Sequence, residues 1–504
     1  MSVIALVLAA MLTQEGEKQR DWAAALRTDA NAMHQAIATS HPGPVNPEDP
    51  GFASRNDAQL VRALDRAAKA DSFADYFYAM QEYAASFNDG HLAYGVWGAT
   101  PDEVRRWPGF LTRYDSGGNQ QVFVSEPWSG VPIGAQLLSC DGRDAETVAR
   151  DRIGSRVGRW SLAAQRHLFG AMVFLDTGNP YVGPVEQCRF QHEGKAIDVA
   201  LQWRAPVANL YRQHVFASAV RRPEFNWQRL DSGIEWFTIP SFDGDPNSPA
   251  GKKLRDLITY IETRADEIRA APAIVFDLRG NGGGSSDWSH QIALRLWGQG
   301  AIDHHPEPPM TIRWRASSDN LAAIHKAFAE RSKGGNLSAG TTAWYRDTIA
   351  GLEKAVAAGD ALWVIKPQQA QAQEKTGDTP AYRIRGPVYL VTDLACMSAC
   401  LDAVDLWTRL GAVPIGRETG ADTLYMEVRQ VPLPAGLGAV SLPMKVYSGR
   451  SRGNNEPVLP RHRFDGNLAD TAALQKWVST LPEQASQWGK KSTNEAQVAR
   501  QVQH

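Results

Sequence analysis

Three short stretches carry residue types that do chemistry. The first, Asp277-Leu278-Arg279-Gly280-Asn281-Gly282-Gly283-Gly284, ends in three successive glycines. Glycine has no Cβ, so the backbone there takes positive φ and brings its N–H groups up against a ligand, which must then be negatively charged. Two anions fit: a phosphate, or the oxyanion formed when an acyl carbonyl is attacked. The stretch lacks the Gly-Lys-Ser/Thr ending of a P-loop, and its glycine spacing does not match Gly-x-Gly-x-x-Gly, which argues against phosphate. A glycine turn that only lets a helix pack on a strand is the bland alternative. The second stretch, Asp393-Leu394-Ala395-Cys396-Met397-Ser398-Ala399-Cys400, puts Ser398 between a strand and a helix. A serine there presents its hydroxyl at a sheet edge, with the next N–H at a helix start that favours negative charge, although an N-cap is its ordinary role. The third is Phe87-Asn88-Asp89-Gly90-His91. Histidine exchanges protons near neutral pH, but at a helix-to-strand corner it is more often a surface or hydrogen-bonded residue.

The surrounding periodicities say what positions these residues. Ala273-Ile274-Val275-Phe276 is a short apolar run that reads as a buried strand, and Asp287 to Trp297 follows at helical spacing, so the glycine stretch is a strand-to-helix turn. Pro387 to Thr392 is a second buried strand, followed by a helix from Ser398 to Leu410 and a third strand at Val413 to Gly416. Before them, Gly233 to Ile239 reads as a strand, and Leu254, Leu257, Ile258, Ile261, Ala265 and Ile268 keep helical period. Strands alternating with helices imply a layered α/β core with a largely parallel sheet. A long insertion, 301–385, divides that core, with helical stretches near Asn320 to Arg331 and Thr342 to Ala358. An insertion of that length reads as a lid or specificity element, or as packing.

Ahead of the core, Glu17 to Ser40 is a helix with Trp22, Leu26, Ala30, Met33 and Ile37 on one stripe, stopped by His41-Pro42-Gly43-Pro44. Asp57 to Ala70 and Ser72 to Phe87 form a second helical pair with Leu60, Leu64, Tyr76, Met80 and Tyr83 inward. From Trp107 to Pro206 the pattern changes to short strands and glycine turns, with an inserted helical stretch near Asp151 to Leu175.

The chain has 504 residues, 43% hydrophobic and 21% charged, which suits a globular protein of several domains. With 53 basic and 55 acidic residues, a net charge of −2 and no long run of one sign, nothing points to a nucleic-acid partner or a polybasic membrane surface. Val3 to Leu12 is apolar but far too short to span a bilayer, and residues 1–15 read as a secretory signal or as a buried amino-terminal segment. Export to the periplasm or medium would permit disulfides; a cytoplasmic location stays open. The four cysteines, Cys140, Cys188, Cys396 and Cys400, allow three full pairings. Cys140 with Cys188, inside the β-rich region, is the preferred one, while Cys396 and Cys400 either bridge the turn around Ser398 or stay as buried thiols. No Cys-x-x-Cys or zinc-finger spacing occurs, so no structural metal is expected.

Taken in order, the glycine stretch, Met397-Ser398-Ala399 after a buried strand, and Val413-Pro414-Ile415-Gly416-Arg417-Glu418-Thr419-Gly420 closely resemble the carboxy-terminal processing peptidase and tricorn core protease family of serine peptidases. Asp89-Gly90-His91 resembles that family's histidine motif, and Gly453-Asn454-Asn455-Glu456-Pro457-Val458-Leu459-Pro460 its carboxylate segment. Val131 to Leu138 with Asp141-Gly142 is similar to its PDZ-like domain. The resemblance runs from about Glu17 to Asp470. One branch of the family uses a lysine base shortly after a Thr-x-Gly; here that neighbourhood is Thr419-Gly420-Ala421-Asp422-Thr423, without lysine. The tricorn-like branch uses a histidine and a glutamate, which match His91 and Glu456.

The resemblance implies a multidomain α/β protein: an amino-terminal helical domain at 16–95 carrying His91, a PDZ-like β domain at 107–206, a crotonase-like layered core at 207–480 holding the 301–385 insertion, and a tail at 481–504. It implies acyl transfer without a cofactor or metal, with Ser398 as nucleophile and His91 as the base that returns the proton to the leaving amine. Glu456 would orient the imidazole, and the N–H groups of Gly283 and Ala399 would receive the oxyanion, with Gly282 as the alternative to Gly283. The substrate would be a peptide or an unfolded protein tail. Two positions depart from the family: Leu401 stands where glutamate is common, and Gly90 where serine often precedes the histidine. A non-catalytic peptide- or lipid-binding protein and an esterase-like acyl hydrolase are the competing functions on the same scaffold.

Overall fold

A computed structural model describes residues 20–101, 103–115, 117–210, 222–245, 247–333, 337, 339–365 and 380–481. The expected signal segment 1–15 and the tail beyond Leu481 lie outside the described residues. The protein is mixed α/β and divides into two compact units, one drawn from Met1–Ala219, Pro308–Gln371 and Asp422–Glu456, the other from Val220–Glu307, Ala372–Ala421 and Pro457–His504. Among the described residues, no helix is long and apolar enough to cross a membrane.

The second unit is built on a six-stranded sheet in which the strands lie side by side in chain order: Asn226–Arg229, Glu235–Thr238, Ile274–Asp277, Val388–Thr392, Val413–Gly416 and His462–Arg463. Asn226–Arg229 is antiparallel and the other pairings are parallel. Parallel strands need crossovers, and the helices Pro249–Thr263, Asp287–Leu296 and Ala399–Arg409 supply them. Both faces of the sheet are covered, as continuous apolar strands require. Along Ile274–Asp277 the side chains alternate, with Ile274 and Phe276 packing among Phe237, Leu390 and Trp407, and Val275 among Trp236, Tyr389, Val391 and Leu474 on the other side. The register pairs Asp277 with Val391, so the glycine turn and the turn before Ser398 leave neighbouring strands at the same end of the sheet. That carboxyl end is where open α/β sheets place their ligands.

The first unit contains the helices Trp22–Ser40, Phe52–Ala67 and Phe73–Ala85. The last begins at a capping box formed by Ser72 and Asp75. Phe52–Ala67 starts earlier than its sequence suggests, because Phe52 is buried and its ring stacks at 4.6 Å on His41. Its buried face is Phe52, Asn56, Ala63 and Ala67, leaving Leu60 and Leu64 half-buried rather than inward. These helices share a core with an antiparallel sheet in which Gly438–Ser448 is flanked by Tyr425–Pro432 on one side and by Ala93–Val96 and Thr311–Arg315 on the other. Thr311–Arg315 and Leu362–Ile365 come from the expected insertion, whose middle part thus supplies two strands here, anchored where Trp314, Ile324 and Leu352 pack on Met444. The same unit holds a separate six-stranded sheet formed by Phe110–Tyr114, Gln120–Ser125, Gln136–Cys140, Arg143–Asp144, Gln187–His192 and Lys195–Ala200. Cys140 and Cys188 are direct cross-strand partners in it and are joined by a disulfide.

Candidate active site

In the second unit, the strand Val388–Thr392 ends and the chain turns into the helix Ala399–Arg409 through Ser398. Ser398 sits at φ +55°, ψ −128°, is exposed, and makes no capping bond to the helix it precedes. The ordinary N-cap role is therefore not the one it plays. A non-glycine residue at positive φ costs about 1–3 kcal/mol and persists only where the surroundings impose it. Here they do: Cys396 and Cys400, both fully buried, form a disulfide across the turn, and the Cys400 N–H donates to the Met397 carbonyl at 3.1 Å. Of the two open possibilities for these cysteines, the bridge is the one present.

Gly283 lies directly against this turn. A Cβ on Gly283, whose φ is +94°, would fall 2.6 Å from the Met397 carbonyl oxygen and 2.8 Å from both the Ala399 nitrogen and the Ser398 Cβ. Only glycine permits that approach. Gly283, Ser398 and Ala399 thus come together at this turn. The Gly283 N–H, however, already donates to Asn281 Oδ1 at 2.9 Å, and the orientation of that amide is set by Asn281 Nδ2 donating to the Ile239 carbonyl at 2.9 Å. The neighbouring Gly282 is exposed, with the Arg222 guanidinium beside it. Below the turn, Arg279 grips Asp277 with two hydrogen bonds of 2.7 and 2.5 Å and reaches Thr471 and the Leu468 carbonyl, which fixes the start of the glycine stretch.

In the first unit, His91 follows the helix Phe73–Ala85 and precedes the strand Ala93–Val96. Its Nδ1 lies 2.8 Å from the Tyr425 carbonyl oxygen. A carbonyl only accepts, so Nδ1 carries the proton and Nε2 keeps its lone pair, the tautomer that a general base needs. Asp89 supports this ring from below. Its Oδ1 accepts the His91 backbone N–H at 2.8 Å and the Thr423 hydroxyl at 2.8 Å, and Thr423 Oγ1 is itself 3.4 Å from His91 Nδ1. Asp89 Oδ2 faces His41 Nε2 at 3.8 Å, too long for a hydrogen bond. Burial pushes the His41 ring below its ordinary value and keeps it neutral, consistent with Nδ1 accepting the Gly43 N–H. Burial works against the Asp89 charge, but the proton-bearing Nε2 of His41 turned toward it and the His91 N–H outweigh it and hold the carboxyl below its usual range.

Glu456 belongs to the same unit and is exposed, with Oε2 accepting the Gly453 N–H at 2.7 Å. Its neighbour Asn455 donates to the Asn88 carbonyl at 2.8 Å, tying the Glu456 segment to the turn that carries His91. The partner of His91 Nδ1 is thus a main-chain carbonyl, not the Glu456 carboxylate. Sequence reasoning passed over Asp89, Thr423, Tyr425, Asn281 and Asp393. Asp89 stood inside the histidine motif, and the apolar/polar alternation of Tyr425 to Pro432 marked a strand beside it, but a backbone acceptor leaves no side-chain signature.

No protein-family model matches the chain, and no curated protein matches it. Among solved structures the chain is similar to mature CPAF, at 13% identity and a TM-score of 0.54, over 88% of this chain and 93% of that one. It is similar at 14% identity and the same TM-score to mature CPAF complexed with lactacystin, over 91% of this chain and 98% of the other. At that identity the likeness is one of fold, and it extends over both units.

Proposed function

We propose that the chain is a serine peptidase that hydrolyses peptides or unfolded protein tails through an acyl-enzyme formed on Ser398. The observation that carries this reading is the imposed backbone of Ser398: an exposed hydroxyl on a strand-to-helix turn at positive φ, against a glycine that no other residue could replace. A serine hydroxyl is a weak nucleophile at neutral pH, so a base must take its proton during attack and return it to the leaving amine. His91 is that base in this proposal, since its tautomer leaves Nε2 able to accept. The oxyanion would be received by the Ala399 N–H and by Gly283, which must first release Asn281, or by Gly282 in its place. One such donor contributes about 3 kcal/mol to the transition state. Glu456 would stabilise the imidazolium by its charge.

The resemblance to the processing peptidases and tricorn core proteases and the fold shared with CPAF support the same reading. On it, the six-stranded sheet within 107–206 is a PDZ-like domain and the second unit a crotonase-like core. The Cys140–Cys188 and Cys396–Cys400 bridges favour an oxidising compartment, which makes the periplasm or the medium the proposed location. A fluorophosphonate should label the intact chain at Ser398, and Ser398→Ala should abolish both labelling and peptide hydrolysis; unchanged labelling of the variant refutes the assignment. A non-catalytic peptide-binding protein is the second reading, favoured by the Gly283 N–H being already satisfied. Tight binding of a peptide without turnover across a panel of peptides and esters would select it, and ester cleavage without amide cleavage would select an esterase.

A further inference from the structure

The glycine stretch and the Ser398 turn leave different strands, and something has to hold them in register where they touch. Between them stands Asp393, the first residue beyond the strand Val388–Thr392, with only 6% of its surface exposed. Its two carboxylate oxygens are divided between the two segments. Oδ2 accepts the Gly280 N–H at 3.0 Å, and Oδ1 accepts the Ala395 N–H at 3.0 Å. Gly280 is three residues before Gly283, and Ala395 three before Ser398. Gly280 has φ +75°, which turns its N–H out of the strand ladder; the ladder's last bond there runs from the Leu278 N–H to the Val391 carbonyl at 2.9 Å. A carboxylate is the side chain suited to this place, because it offers two acceptors and no donor, while an amide offers one of each.

We infer that Asp393 is a positioning residue that clamps the glycine stretch to the nucleophile turn, fixing the oxyanion donors relative to Ser398. The inference rests on the peptidase reading for its catalytic consequence, but the clamp itself is a property of the second unit alone. The groups facing Asp393 are Asp277 from the neighbouring strand, the Arg279 guanidinium, and the two N–H donors. Burial, reinforced by Asp277 and opposed by the N–H donors and Arg279, pushes the Asp393 carboxyl up to about 6. As pH falls through that value the carboxylate takes up a proton and loses one of its two charged acceptors, so the clamp weakens in mild acid.

The test uses the full-length chain with Asp393→Asn, which keeps the shape and removes one acceptor. Peptide hydrolysis should fall in kcat by about 10- to 100-fold with KM within about threefold, because misplacement of reacting groups acts on the chemical step. Amide hydrogen exchange should rise together in the segments spanning 278–284 and 394–400. A rise confined to 394–400 would show that Asp393 only caps its own turn, and unchanged exchange with unchanged kcat would overturn the proposal outright. Should the variant not fold, the same two segments are followed in the unmodified chain from pH 7.5 to 5, after correction for intrinsic exchange rates. Paired loosening near pH 6 upholds the clamp, whereas loss of activity without loosening overturns it. If the unmodified chain neither hydrolyses peptides nor reacts with a fluorophosphonate, the peptidase reading fails, and the exchange measurements still decide the clamp.

Discussion

Each unit holds one of the two side chains proposed to react, and each has a buried aspartate beside it that accepts main-chain N–H donation. The two supports differ in what surrounds the carboxylate. Asp89 faces the neutral His41 ring and accepts the His91 N–H and the Thr423 hydroxyl, and its carboxyl is held low. At Asp393 burial, with a smaller push from Asp277, outweighs the two N–H donors and Arg279, and the carboxyl is raised to about 6. A lowered carboxyl adds stability that is present above the ordinary carboxylate range and lost only as pH falls through its folded value, so the Asp89 support is constant between about pH 5 and 8. A raised one is ionised at a cost to the folded state above about 6, and sheds that cost, together with one charged acceptor, as pH falls through 6. His91 is held by a support indifferent to mild acid, and the Ser398 turn by one that responds to it.

The sharpest way to break this contrast is to neutralise Asp89. Asp89→Asn can keep Oδ1 on the His91 N–H and the Thr423 hydroxyl only by turning its NH2 toward His41 Nε2, which carries the proton because Nδ1 accepts the Gly43 N–H, so two buried donors face each other and the support under the His91 ring is disturbed. Peptide hydrolysis should drop by about 100-fold in kcat. The shape of the pH profile between 5 and 8 should stay that of the unmodified enzyme, because the group removed does not titrate there. Asp393→Asn should instead flatten the acid limb. Profiles in which Asp89→Asn reshapes the acid limb and Asp393→Asn does not would invert the assignment.

The two disulfides differ in the length of chain they close. Cys140–Cys188 spans a sequence separation of 48 and Cys396–Cys400 a separation of 4. On the chain-entropy account the first stabilises its sheet by about 4 kcal/mol and the second by about 2 kcal/mol. Their functional weights should run the other way, since only the short one encloses Ser398. Replacing Cys140 and Cys188 with alanine should lower the thermal midpoint and leave the fluorophosphonate labelling rate unchanged. Replacing Cys396 and Cys400 should cost less stability and slow labelling by about tenfold, as the turn relaxes from positive φ. Equal labelling rates in the two double variants would show that backbone packing, not the bridge, imposes the Ser398 conformation.

How far these features were legible in the sequence follows the range of the interactions that make them. The parallel strands of the second unit were readable because both faces are buried, so Ala273 to Phe276 and Pro387 to Thr392 are continuous apolar runs. Gly283 and Ser398 were readable because a positive-φ contact and a strand-to-helix serine both leave a mark in residue type. The fate of the 301–385 insertion was not, because Thr311–Arg315 is half-buried and finds its partner in Gly438–Ser448, more than a hundred residues on. For the same reason the sequence does not say that Tyr425 lies at His91, and any residue type would provide the carbonyl. Asp89 and Asp393 were visible as residues, but what distinguishes them is how far the groups around each carboxylate offset its burial, which only the folded chain assembles.

Glu456 is the smallest expected effect and the strictest check on how the base is held. Family resemblance gives it the role of orienting His91, a role that elsewhere is worth several orders of magnitude in rate when the tautomer is lost. Here the tautomer is fixed by the Tyr425 carbonyl at 2.8 Å, while Glu456 caps the Gly453 N–H. What remains for the carboxylate is a charge exposed to solvent, and such interactions are weak. Glu456→Gln should therefore lower kcat by no more than about threefold at low salt, and by less as ionic strength rises and screens the charge. A loss of about 1,000-fold, insensitive to salt, would mean that in the working enzyme the carboxylate displaces the carbonyl at Nδ1, and that the base is then held by a charged partner in place of the main chain.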